Sequence, residues 1–318
     1  VAPPLIDVLR PKPFRGDVVA AGVLALVTLV WTVEVRFADA WAPGAHLAYA
    51  ALAWAFVTAM AALAPMEGDT PRAYQSVLYV TGVALLGAVL LNLSELVGSG
   101  AAVSSDGNAF WVFSLLALHA LAFATLRNSA VCTLVGAIAG GAAVLSFVQW
   151  AFDASKASTS RWVLLGLFLI YGFVAMAQRD RRLRHGVALI DAAGFAMLAI
   201  AASFLVDMAV VTFGDEPPSV PGAGWGWELL IGGAGFGLVA YSSVDRQPGP
   251  AYLGVANLVA FALITSGDVS AAGATLLGWP VALALAAAAL LVVGLRPTTP
   301  APPPPDIDAP EPPPLPLR

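Results

Sequence analysis

Residues 178–186 read Gln178-Arg179-Asp180-Arg181-Arg182-Leu183-Arg184-His185-Gly186, the densest basic cluster in a chain that otherwise avoids charge. Long apolar runs flank it on both sides. The 318 residues are 59% hydrophobic and 11% charged, against about a quarter charged in a soluble globule. A soluble fold has no interior large enough for so much apolar side chain, whereas a bilayer removes the need for one. Backbone amides in lipid have no water to bond and must pair within the segment. The expected fold class is therefore an all-α integral membrane protein.

Outward from the cluster, apolar spans long enough to cross a hydrocarbon core of about 30 Å follow in series. They cover 18–38, 45–64, 74–97, 109–126, 130–152 and 162–177 before it, and 187–213, 227–244, 251–267 and 274–295 after it. That predicts ten transmembrane helices, with a possible bend rather than a break at 266–273. Residues 1–17 are a basic, proline-rich lead-in to the first two helices, 18–73. Ala38-Asp39-Ala40 has the small-x-small form of a signal cleavage site. The run before it is long for a signal core, so it is read as a retained first helix.

With the N-terminus inside, the inner segments hold Arg10, Lys12, Arg15, Arg72, Arg127, Arg179, Arg181, Arg182, Arg184, Arg246, Arg296 and Arg318. The outer side holds Arg36, Lys156 and Arg161. Basic residues concentrate in cytoplasmic loops, which places both termini inside. Trp41, Trp111, Trp150, Trp162, Trp225, Trp227 and Trp279 fall at or near outer ends, where indoles favour the headgroup level. Trp54 lies mid-span and reads as a packing residue. Arg-rich, Lys-poor and Ala-rich usage points to a GC-rich bacterial gene, so the expected location is the bacterial cytoplasmic membrane.

The same landmarks recur on either side of the joint at 180–186. Glu95 pairs with Asp207, Trp111 with Trp225, Asp153 with Asp268 and Trp162 with Trp279, at offsets of 112, 114, 115 and 117 residues. Residues 74–179 and 187–296 thus read as parallel copies of a four-helix unit, since an even helix number preserves orientation. Pro297–Arg318 is half proline and is expected to be an extended cytoplasmic tail.

Ionisable groups at membrane depth are costly and mark candidate sites. His119 and Asn257 lie near the midplane. A neutral interhelical hydrogen bond is the plain reading of each, and a proton relay the functional one for His119. Glu34, Asn92, Glu95, Asp153, Asp207, Glu228 and Asp268 share the outer depth and would form an acidic vestibule if their helix ends face one another. Separate snorkelling to headgroup water is the plain alternative. Asp191 lies near the inner surface, close in sequence to Arg182 and Arg184. Gly136, Gly140, Gly233 and Gly237 are spaced for close helix crossings. Lone Cys132 permits no intrachain disulfide.

Three histidines and no metal-binding, triad or phosphate-loop motif leave little material for catalysis, cofactor or metal chemistry. Ten helices with both ends inside resemble the drug/metabolite transporter superfamily in topology. That family is built from two inverted five-helix halves, a departure from the parallel units read here, and no family is assigned. The expected function is non-catalytic, in envelope assembly, scaffolding or sensing. The alternative is a small-solute or cation-coupled transporter using the outer vestibule. The lipid bilayer is the expected partner, with other membrane proteins or a cytoplasmic partner on the proline-rich tail as further candidates, and no nucleic acid.

Overall fold

The computed structural model describes residues 10–12, 15–38, 40–68, 71–98, 105–154, 156–213 and 223–267. Among these are nine helices and no strand: α1 (Gly16–Arg36), α2 (Pro43–Leu63), α3 (Ala73–Leu96), α4 (Asp106–Leu126), α5 (Ala130–Phe152), α6 (Ala157–Gln178), α7 (Leu183–Phe213), α8 (Trp225–Asp245) and α9 (Pro248–Gly267). All nine are long and apolar enough to cross a membrane. They match the first nine spans read from hydropathy. The tenth span, 274–295, lies outside the described residues, as do the tail and Asp268.

Helix ends overrun the hydropathic spans where polar residues find partners. Ser105 caps α4 by accepting from the Asn108 amide at 3.3 Å, which satisfies one of the orphan donors of the first turn. The Arg72 amide donates to Gln75 Oε1 at 3.0 Å and does the same for α3. The sequence reading begins the sixth helix at Trp162, but α6 begins at Ala157. Its polar first turn is retained because Ser160 accepts from Gln149 and Arg161 reaches α7. Asp153 ends α5 in the left-handed conformation at φ 49°, which short polar side chains tolerate.

Two helices organise the packing. α3 is the most buried element and α7 the next. α1 and α2 lie against α3 while meeting each other only slightly, and α5 and α6 lie against α7 in the same manner. α4 pairs closely with α5, and α8 with α9. The first hub buries Val30, Val57, Leu78, Tyr79 and Leu85 completely. Leu52, Phe152, Phe173, Met176, Trp225 and Tyr252 are each more than two-thirds exposed. Apolar surface on that scale is a cost in water and the natural contact with lipid.

Small residues set the tightest crossings, as expected where packing rather than apolar burial drives helix association. A Cβ at Gly136 would lie 2.9 Å from the Leu121 side chain, and one at Gly140 would lie 3.9 Å from Ala117. Both therefore serve the α4–α5 contact. The α8–α9 contact differs from the sequence reading. There the close approach is at Gly235 and Gly254, where an added Cβ on Gly254 would stand 2.7 Å from the Gly235 carbonyl oxygen. Gly233 and Gly237 meet nothing within 4 Å. Spacing identified the glycine-rich helix, but its rotation puts the intervening glycine into the contact.

Candidate functional site

The loops α2–α3 and α4–α5 and the start of α7 meet at one end of the bundle, and an acidic side chain sits at their centre. The Glu67 side chain is fully buried. Its carboxylate takes a charge-assisted bond from Arg184 Nη2 at 2.7 Å through Oε2, and one from Ser129 Oγ at 3.0 Å through Oε1. The Glu67 amide donates to the Arg127 carbonyl, and the Glu67 carbonyl accepts from Asn128 Nδ2. Arg184 Nη1 also reaches the Gly68 carbonyl at 2.6 Å. His185, next in sequence, places Nε2 3.0 Å from Asn128 Oδ1 and Nδ1 2.6 Å from Thr133 Oγ1. Three chain segments are thereby held in one polar network, whose carboxylate is paired and bonded as a buried charge requires.

At the opposite end, the residues assigned to an acidic vestibule fall into separate groups. Glu34 on α1 accepts from Asn92 Nδ2 of α3 at 3.0 Å and lies 3.2 Å from Nδ1 of His46 on α2. The other His46 nitrogen faces the Phe37 carbonyl at 3.1 Å, and Trp41 covers the imidazole with ring centroids 5.5 Å apart. Asp207 on α7 is bound by Arg161 of α6, which also donates to Ser203 Oγ at 2.8 Å and lies over the Phe204 ring. α3 and α7 make no direct contact among the described residues. Glu95 and Asp153 are exposed, and Glu228 is buried near the start of α8.

Midway between the ends, His119 on α4 stands beside Trp54 on α2, with ring centroids 5.9 Å apart, and edge-on to Phe123. Trp54 Nε1, Thr58 Oγ1 and His119 Nε2 are buried without a hydrogen-bond partner. Thr58 Oγ1 and His119 Nε2 both border the space above Gly82, at 3.6 and 4.0 Å from where its Cβ would lie. Asn257 is fully buried and donates to the Leu253 carbonyl and, across the helix contact, to the Gly194 carbonyl. It acts as a link between α9 and α7. Asp191 packs against the first turn of α9, with Oδ2 2.7 Å from where a Gly249 Cβ would lie. Among the described residues, no three His, Cys, Asp or Glu side chains stand together as a metal-binding group.

Glu67 carries no signal in the sequence reading, because a lone carboxylate in a short polar loop looks solvated. Its proximity to Arg184 in the 178–186 stretch becomes meaningful only once the two loops are known to touch.

Among the described residues, nine apolar helices with polar residues gathered at their ends and in their contacts mark a multi-pass membrane protein. No known family model, curated protein or solved structure matches the chain.

Proposed function

We propose that the chain is a non-catalytic membrane protein that presents its joined basic loops as a fixed cytoplasmic platform, in an envelope-assembly, scaffolding or sensing role. The buried Glu67–Arg184 pair is the observation that carries this reading, since it ties the α2–α3 loop to the start of α7 across both packing hubs. The ionisable groups at the other end, Glu34 and Asp207, are each engaged by their own basic or polar neighbours. Local pairing suits a rigid body better than a shared ion path.

In this proposal both termini are cytoplasmic, the tenth helix spans 274–295, and the chain resides in a bacterial plasma membrane. It also contains two parallel copies of a four-helix unit. α1 and α2 lie on α3 as α5 and α6 lie on α7, and this four-helix step supports a parallel register, with α1 and α2 preceding the two copies.

A transporter is the second reading, favoured by the unpartnered polar atoms of Trp54, Thr58 and His119 around Gly82. Transporters place polar groups near the midplane, where helices rearrange. Cysteine accessibility separates the two. In a Cys132→Ala background, His119→Cys in sealed vesicles should resist impermeant thiol reagents from both sides if the bundle is static. Labelling from either side would reveal a water path to the midplane and overturn the platform reading.

A further inference from the structure

The space between α6 and α8, above α7, holds an apolar cavity of about 400 Å³, within the roughly 300–1,000 Å³ of ligand pockets. Phe168 and Gly172 of α6, Ile190 of α7, and Gly233, Gly237 and Tyr241 of α8 are among its lining. Beyond the lining, toward the starts of α6 and α8, Trp162 and Trp227 stand with ring centroids 5.2 Å apart. At the other end the Arg179 guanidinium stands 6.0 Å above the Tyr241 ring. Leu229 and Leu230 of the lining are themselves exposed, as are Leu169 and Phe173 on α6.

The first half of the chain shows what normally fills such a groove. Trp54, Thr58, His119 and Phe123 each lie 114 residues before Phe168, Gly172, Gly233 and Gly237. In the first half, two rings and an imidazole occupy the space between α2 and α4. In the second half, glycines stand at three of those four positions and the volume is open. This offset sets α2 against α6 and α4 against α8, a four-helix step in which Trp54 and Thr58 precede the copies at 74–179 and 187–296, and the cavity itself does not depend on it.

We propose that one acyl chain of an anionic phospholipid occupies this groove, with its phosphate at Arg179. The lining accepts hydrocarbon. The Trp162–Trp227 pair stands beyond the end away from the headgroup, and the exposed Arg179, Arg181 and Arg182, opposed within the stretch by Asp180, supply the complementary charge. From Leu229 to Tyr241 the lining runs about 18 Å along α8, taking 1.5 Å per residue. That exceeds the roughly 15 Å depth of one leaflet's hydrocarbon, so a single chain has room at its full length.

Native mass spectrometry of the detergent-purified protein, titrated with dioleoyl phosphatidylglycerol or dioleoyl phosphatidylcholine, tests this. The wild type should retain one phosphatidylglycerol, and Gly172→Leu with Gly233→Leu should reduce occupancy at least tenfold. Neither leucine meets an atom within 4 Å at its Cβ, so both project into the groove. Arg179→Gln should remove the preference for phosphatidylglycerol while leaving weak binding of phosphatidylcholine. Equal lipid retention by the filled variant, or equal affinity of the wild type for both lipids, would overturn the site. Should the filled variant not fold, phosphatidylglycerol with brominated chain ends should quench tryptophan fluorescence of the wild type more strongly than brominated phosphatidylcholine, and Trp227→Phe should remove the difference. Equal quenching would also overturn the proposal.

Discussion

The Glu67 carboxylate is the residue on which the bundle's basic end depends. Its buried oxygens are divided between Arg184 and Ser129, so removing the guanidinium leaves a charge with one hydroxyl for company. Breaking a buried pair from one side costs about 3–5 kcal/mol. Arg184 retains 27% side-chain exposure, so Arg184→Ala should fall near the low end of that range, about 3 kcal/mol. Glu67→Gln with Arg184→Ala should lose less than the sum of the single changes. Denaturation of the four variants in detergent gives this cycle, and additive losses would mean that the two side chains act independently. The apolar helices were legible because each polar residue carries its own cost in lipid. The Glu67 network was not, since its bonds join residues 52 to 117 positions apart and loop contacts leave no periodic trace.

Among the elements, α8 and α9 show most clearly how helix rotation decides a glycine's role. Gly254 faces the carbonyl of Gly235, and backbone cannot yield as a flexible side chain does. Gly254→Ala should therefore destabilise the protein by about 1–3 kcal/mol, the usual cost of overpacking. Gly237→Ala faces open volume and should be neutral or slightly stabilising, because alanine is the better helix former by about 1 kcal/mol. Thermal unfolding of the two variants checks the order, and a larger loss at Gly237 would contradict the observed rotation. Spacing alone favoured Gly233 and Gly237 because it finds a face without saying which neighbour that face meets. The apolar spans were read correctly as helices for a simpler reason: in lipid, a helix is the one local solution to backbone hydrogen bonding.

Across the whole molecule, the central claim is that the loops gathered around Glu67 occupy one side of the membrane and the Trp-rich ends the other. The contacts from Glu67 to Arg127, Asn128, Ser129 and Arg184 require the first three basic loops to share a face. The exposed indoles of Trp41, Trp150, Trp162 and Trp225 lie near the opposite helix ends, at the level where aromatic belts form. Single cysteines in a Cys132→Ala background, treated with an impermeant thiol reagent in sealed vesicles of known orientation, measure this directly. The account predicts that Gly68→Cys and Asp180→Cys label only from the cytoplasmic side, and Asp106→Cys and Asp153→Cys only from the outside. Labelling of Gly68→Cys and Asp180→Cys from different sides, or of Asp180→Cys from the outside, would contradict it.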